Sequence, residues 1–224
     1  MKKIFLIFAL TILFCNKSYA ATGEGAATEY IVTMQKIELC EDSACAASTT
    51  VGDSSMPVDI ASVSAGADIG SYAATTGLPL GTTFSHLRVT ISRTFTVTGS
   101  ATAGSTTCVT DGGTDNTATN LLDAATGTAV STSMYLVNAA TYDASDGSTG
   151  GSDIEMSYGS PTYATTMTIS GGSMIMIYKL TSSFTVGMRA PTIKVIFNTD
   201  TAVGATDDAC VMWLQEPYCQ ITIN

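Results

Sequence analysis

Apolar and polar side chains alternate most clearly along residues 87–97, where every second residue lies on the same side of the backbone. One side carries Leu87, Val89, Ile91, Phe95 and Val97, whereas the other carries Arg88, Thr90, Ser92, Thr94 and Thr96. A period of two residues predicts a β-strand that buries one face. Arg93 interrupts the apolar side, and we expect it at the rim of the sheet rather than paired with a buried carboxylate.

Further apolar runs, separated by Gly, Asp, Asn and Pro, predict additional short strands. These strands are Tyr30–Leu39, Met56–Val63, Val130–Val137, Ile154–Tyr158, Tyr163–Ile169, Met174–Leu180, Phe184–Met188, Ile193–Phe197, Val211–Leu214 and Cys219–Ile223. The apolar phase of the first strand changes between Gln35 and Lys36, which predicts a β-bulge in preference to a strand covered on both faces. The continuous apolar run Met174–Tyr178 indicates a central strand covered on both faces, in preference to a template for cross-β assembly.

The strand pattern predicts an all-β fold: an antiparallel β-sandwich with long loops rich in Gly, Ser, Thr and Asp. A closed up-and-down sheet is the second choice. Helical periodicity is limited to one turn near Asn120–Ala125. A hydrophobic content of 45% argues that the chain folds in spite of its many Thr, Ser and Gly residues.

The first 20 residues have the pattern of a cleaved secretory signal peptide. Lys2 and Lys3 precede an apolar core, and Ser18-Tyr19-Ala20 provides a small-x-small cleavage site. We therefore expect a mature chain with a flexible tail at residues 21–29 and a single β-sandwich domain at residues 30–224. No run is long enough for a transmembrane helix, which needs about 20 apolar residues. The predicted location is secreted, extracellular or on the cell surface, with the periplasm also open.

The chain is strongly acidic, with a formal net charge of -10. Cleavage removes Lys2, Lys3 and Lys17 but no carboxylate, so the mature net charge is -13. This charge disfavours binding to nucleic acid or to an anionic membrane. The predicted partners are copies of the chain itself or other surface proteins.

Five cysteines remain after cleavage, and in an oxidising compartment we interpret them first as disulfide candidates. Cys40 and Cys45 enclose a short acidic turn, and Cys210 and Cys219 flank a predicted hairpin, so both pairs are expected to be local. Cys108 is then left over as a buried thiol, an intermolecular bridge or the true partner of one of the others. A zinc site is disfavoured because the chain has one histidine and no C-x-x-C motif.

No residue pattern indicates catalysis, and we expect a protein that is not an enzyme. His86 is the single histidine, and no Gly-x-Ser-x-Gly motif accompanies it. Glu38, Asp59 and Glu155 show no spacing that suggests a glycosidase pair. No cofactor is expected, although three oxygen-rich loops leave weak calcium binding open: Asp111–Asn116, Asp143–Asp153 and Asn198–Asp208. Solvated turns are the preferred interpretation of these loops.

Residues 30–98 resemble uncharacterised exported bacterial β-sandwich domains, which are similar to carboxypeptidase-regulatory or transthyretin-like sandwiches. The resemblance depends on three segments: Val32–Leu39, Pro57–Val63 and Leu78–Val89, the last with a Pro-x-Gly turn that leads into an Arg-bearing strand. Phe84 stands where that pattern usually has Tyr, and residues 99–224 have no counterpart. The resemblance implies a surface or matrix module and transfers no active site.

Two functions fit these observations. The first is an exported structural module, such as a fibre or matrix subunit, which predicts pairable edges and concentration-dependent polymers. If subunits exchange a strand, Tyr30–Leu39 is the expected donor. The alternative is a monomeric binding module for a carbohydrate or protein ligand, which predicts a concave loop cluster with aromatic side chains.

Overall fold

The computed structural model describes residues 21–62, 77–115, 124–135, 164–207 and 210–223, and every regular element in these residues is a β-strand. The strands are β1 (Thr22–Gly25), β2 (Ala27–Cys40), β3 (Ser48–Gly52), β4 (Met56–Asp59), β5 (Thr83–Ala103), β6 (Thr106–Thr110), β7 (Thr114–Asp115), β8 (Ala124–Ala125), β9 (Thr132–Tyr135), β10 (Ala164–Ser170), β11 (Ser173–Thr185), β12 (Ile193–Asn198), β13 (Val203–Thr206), β14 (Met212–Leu214) and β15 (Tyr218–Ile223). The predicted signal peptide, the strand Ile154–Tyr158 and the loop Asp143–Asp153 lie outside the described residues.

β5 is the central strand of the largest sheet, in which the order β10-β11-β5-β2-β3 is antiparallel throughout. Its first half pairs with β11 on one side, and its second half pairs with β9 on that same side. The alternation predicted from residues 87–97 is confirmed, because the odd-numbered side chains are buried. The strand is longer than predicted at both ends.

Arg93 occupies a position different from the expected one. Its side chain is only 7% exposed, and Nη1 donates a 2.7 Å hydrogen bond to the Gly171 carbonyl in the β10–β11 turn. The guanidinium therefore lies beside a turn, as expected for the rim of a sheet. It is buried in the protein, however, whereas a rim position predicts exposure to water.

Two predictions about individual strands are confirmed. The register between β2 and β5 shifts between Met34 and Lys36, where the bulge was expected. Met174–Tyr178 lies within β11, between β10 and β5, and most of its side chains are buried. β11 also joins two segments that were predicted as separate strands, with a register irregularity between Lys179 and Phe184.

Two smaller antiparallel sheets lie against the large one. They are β1-β13-β14 and β12-β15. β15 packs against β11, whereas β1 and β13 pack against β5. A single apolar cluster contains buried residues of all three sheets, among them Phe95, Met174, Met212 and Ile221. The fold is therefore all-β, with sheets that face each other across a shared core.

The expected flexible tail at residues 21–29 is wrong, because this segment forms β1 and the start of β2. Thr22–Gly25 pairs with Val203–Thr206, and the Ala21 nitrogen donates to Asp207 Oδ1 at 2.8 Å. Gly23 and Gly25 are required here, since a Cβ atom on either would overlap the backbone carbonyls of Thr102 and Ser100 in β5. Close backbone contact replaces the apolar side chains that usually identify a strand in a sequence.

Candidate functional site

The predicted disulfide between Cys40 and Cys45 is confirmed, with an S–S distance of 2.06 Å. It closes the turn after β2. Asp42 supports this turn, because its Oδ1 accepts hydrogen bonds from the nitrogens of Ala44 at 2.8 Å and Ala46 at 3.3 Å.

The predicted pair Cys210–Cys219 is wrong, because Cys210 bonds to Cys108. The expected hairpin does not form: β14, after Cys210, pairs with β13, whereas Cys219 in β15 pairs with Phe197 of β12. Of the three interpretations of Cys108, the partner of another cysteine is the correct one. The second disulfide joins residues that are 102 positions apart. It therefore links segments distant in sequence and does not close a hairpin. Cys219 is the buried free thiol.

His86 lies on β5 between Cys40 of β2 and Lys179 of β11. Its Nδ1 is 2.8 Å from Ser85 Oγ, and that hydroxyl donates to the Glu41 carbonyl at 2.8 Å. The Ser85 hydroxyl proton is therefore donated to a backbone carbonyl. In the contact between His86 and Ser85, the histidine Nδ1 is then the donor and the serine oxygen the acceptor, so His86 does not act as a base toward Ser85. Burial and the nearby Lys179 lower the pKa of His86. This arrangement holds the disulfide turn against β5.

The acids considered for a glycosidase pair also make structural contacts. Glu38 accepts from Arg88 Nε at 2.7 Å and from Lys36 Nζ at 2.9 Å. The hydrogen bond from Arg88 lowers the pKa of Glu38 to about 2, against the opposing effect of burial. Asp59 Oδ1 accepts from the nitrogens of Tyr30 and Ala61. Glu155 lies outside the described residues.

Glu216 was not singled out in the sequence, yet it is the most unusual acid among the described residues. It is 4% exposed, and its Oε1 accepts a 2.7 Å hydrogen bond from the Ala164 nitrogen at the start of β10. Burial raises the pKa of Glu216 to about 7, although the bonds to Ala164 and Tyr178 act in the opposite direction. Burial and the Glu216 charge in turn raise the pKa of Tyr30 and of Cys219.

Two connected turns form an exposed groove at the start of β5, which is lined by apolar side chains and by polar backbone groups. Leu80 is 72% exposed and Met188 98% exposed, and Arg189 is exposed beside them. The groove encloses about 260 Å³ and is also lined by Gly77, Leu78, Val186, Gly187, Ala190 and Pro191. We call it the Met188 groove.

Backbone hydrogen bonds hold the two turns of the Met188 groove together. Gly81 donates to the Val186 carbonyl and Val186 to the Thr82 carbonyl, both at 2.9 Å. Gly81 has a φ of +79°, which favours glycine. Phe84 is fully buried and anchors the turn to the core. The two turns are therefore joined at Gly81, Thr82 and Val186, whereas the side chains of Leu80 and Met188 face solvent.

The oxygen-rich loops show turn hydrogen bonds where they are described. Asp111 Oδ1 accepts from the Gly113 nitrogen, and Asn198 Oδ1 accepts from the Asp200 nitrogen. Across the described ranges, no three His, Cys, Asp or Glu side chains are grouped so that they could hold a metal ion. The same residues include no helix with the length and apolar character needed to cross a membrane.

No family model, curated protein or solved structure matches the chain. The resemblance of residues 30–98 to exported β-sandwich domains therefore stays a prediction.

Proposed function

We propose that this protein is an exported, non-enzymatic structural module of the cell surface or extracellular space, such as a fibre or matrix subunit that assembles with copies of itself. The observation that carries the proposal is the Met188 groove, in which two large exposed apolar side chains lie on a pair of turns joined by backbone hydrogen bonds. Adjoining exposed apolar side chains are typical of interaction surfaces, and Met and Arg are enriched at protein interfaces.

The contacts made by the other candidate residues also favour a structural role. Ser85 and His86 hold the disulfide turn, and Glu38 and Asp59 fix neighbouring strands. Two intramolecular disulfides are typical of an oxidising compartment, outside the cytoplasm. Side chains that bind each other in this way are poorly placed to attack a substrate.

Strand exchange through Tyr30–Leu39 is not the assembly mode that we favour. This segment belongs to β2, which pairs with β5 on one side and with β3 and β4 on the other. Removing it would take a central strand from the large sheet. Assembly through surfaces that are already exposed, such as the Met188 groove, costs no such rearrangement.

The alternative is a monomeric binding module whose ligand occupies the Met188 groove. The lining residues include no aromatic side chain, whereas ligand pockets are usually lined by hydrophobic and aromatic groups. Within this alternative, a protein segment is therefore favoured over a carbohydrate.

Light scattering after size-exclusion chromatography, over a concentration series of residues 21–224, tests the proposal. We expect the mass to rise with concentration and electron microscopy to show extended particles. Because Cys219 is buried and the other four mature cysteines are paired within the chain, a non-reducing denaturing gel should show monomers. A constant monomeric mass at all concentrations would refute self-assembly and favour the binding module.

A further inference from the structure

The charges of this chain are segregated along the sequence. Between residues 94 and 178 there is no Lys or Arg, and the acids are Asp111, Asp115, Asp123, Asp143, Asp146, Asp153 and Glu155. Between residues 156 and 199 there is no Asp or Glu, and the cations are Lys179, Arg189 and Lys194. Where segregated charges of opposite sign lie on different surfaces of a protein, those surfaces attract each other.

β5 places Arg189 of the cationic stretch and Asp111 of the acidic stretch toward opposite ends of the large sheet. Thr83, near the start of β5, is opposite Thr185 of β11, just before the Met188 groove. Val97 is opposite Thr132 of β9, which follows Val130 and Ser131. The two positions on β5 are separated by about 45 Å, at roughly 3.3 Å per residue. Their partners, Thr185 of β11 and Thr132 of β9, lie on the same side of β5.

The acidic end carries an exposed apolar side chain of its own. Val130 is 50% exposed and forms a β-bridge with Asp111, whose side chain is exposed. Ser131 Oγ donates to Glu29 Oε2 at 2.6 Å, and Thr98 Oγ1 donates to the same oxygen at 2.7 Å. We call Val130, Asp111 and Glu29 the Val130 ridge. The ridge combines one apolar side chain with carboxylates, whereas the Met188 groove combines apolar side chains with a guanidinium.

We propose that the Met188 groove of one copy receives the Val130 ridge of a second copy, so that subunits join head to tail along the direction of β5. This inference rests on the proposed function and names the surfaces that mediate it. Val130 packs between Leu80 and Met188, and Arg189 pairs with Asp111 of the neighbouring subunit. Contacts between two different surfaces build open filaments when the rotation between subunits does not close a ring.

Glu41 and Asp42 lie near the same end of β5, but in the turn that follows β2. β2 and β11 flank β5 on opposite sides. The two carboxylates therefore lie on the β2 side of β5, away from the β11 side that carries Arg189. They leave the charge complementarity of groove and ridge intact.

Charge reversal at the two surfaces tests the inference on the mature chain. Arg189→Glu and Asp111→Arg should each raise the concentration needed for polymers by about tenfold or more, because each places like charges in contact. An equimolar mixture of the two variants should polymerise again, since every groove then meets a ridge of opposite charge. The double variant should polymerise alone for the same reason.

The matched control is Asp53→Arg, a reversal at an exposed residue between β3 and β4. We expect it to polymerise like the unsubstituted protein. Circular dichroism and the melting temperature check folding, and Asp111→Asn serves if Asp111→Arg unfolds, because it keeps an acceptor for Gly113 and should still weaken assembly.

The outcomes separate the two proposals. If the unsubstituted protein polymerises and both single variants do so equally well, or if their mixture shows no recovery, the interface lies elsewhere and only this inference is overturned. If the unsubstituted protein stays monomeric, the proposed function and this inference both fail.

Discussion

The environment of Glu216 combines two opposing effects on the pKa of its carboxyl group. Burial favours the neutral acid, whereas the Ala164 nitrogen donates to its carboxyl oxygen and favours the charged form. Burial is the larger effect, so the pKa rises to about 7. Near neutral pH the protein therefore holds an acid that is only partly ionised in its interior.

Glu216→Gln should make the protein more stable above pH 7. A folded-state pKa of about 7 against an ordinary value of 4.5 means that the folded protein holds this proton more tightly than the unfolded chain. The stabilising contribution is complete below pH 4.5 and is lost as the pH rises through 7. The loss amounts to about 3 kcal/mol, at roughly 1.36 kcal/mol per pKa unit. Glutamine keeps an acceptor for Ala164 and does not ionise.

Urea unfolding of both proteins between pH 4 and pH 8 measures this difference. The stabilities should converge near pH 4 and diverge toward pH 8, with the variant higher. Parallel curves would contradict the assigned environment of Glu216. Glu38, whose pKa is lowered to about 2, contributes with the opposite sign, because its stabilisation is lost as the pH falls from 4.5 toward 2.

Among the secondary-structure elements, the sequence pattern predicts strands where apolar side chains alternate and does not predict several short strands that lack this alternation, such as β1, β3, β6 and β13. β5 was evident because its odd-numbered residues from Leu87 to Val97, other than Arg93, are apolar. β1 has the sequence Thr-Gly-Glu-Gly and was interpreted as a tail, since two glycines without apolar neighbours usually indicate flexibility. The contact that stabilises β1 is between backbones, and a hydrophobic pattern carries no signal for it.

Gly25→Ala should destabilise the β1 region, because the added Cβ would overlap the Ser100 carbonyl. We expect a loss of about 1–3 kcal/mol, the usual range for overpacking a tight contact. Gly187→Ala is the matched control, because nothing lies within 4 Å of the Cβ position there. Hydrogen exchange of the β1 and β13 amides, measured with the melting temperature, reports the effect. Equal stability of the two variants would show that the backbones of β1 and β5 are not in close contact.

The two disulfides differ in how much of the chain they constrain. Cys40–Cys45 closes a short turn, whereas Cys108–Cys210 connects β6 to the segment before β14 across 102 positions. The sequence could supply the first pair from spacing alone. The second depends on which strands become neighbours, and the strands after Cys210 and around Cys219 belong to different sheets.

Removing the Cys108–Cys210 disulfide by Cys108→Ala/Cys210→Ala should cost about 5 kcal/mol, against about 2 kcal/mol for Cys40→Ala/Cys45→Ala. The chain-entropy account gives the larger value to the longer loop. Denaturant unfolding of the two double variants and the unsubstituted protein measures both losses. Equal losses, or a larger one for the short loop, would contradict the chain-entropy account of these two disulfides.

The sequence pattern alone does not predict most features of the candidate surfaces. Charge segregation can be read from the chain, but Leu80 and Met188 adjoin only because Gly81 and Val186 exchange backbone hydrogen bonds with neighbouring turns. The Glu216 environment likewise draws on β2, β10, β11 and β15, which are distant in sequence. Such sites require the pairing of remote strands, which local patterns do not specify.

The bond between Ala21 and Asp207 joins groups 186 residues apart in the sequence. The ribosome synthesises β1 early and its partner, β13, almost last. β1 therefore lacks its pairing strand through nearly the whole of synthesis. Contacts of such long range slow folding. A chain that is cut short before residue 203 would lack β13, and its glycine-rich start would be left open to proteolysis.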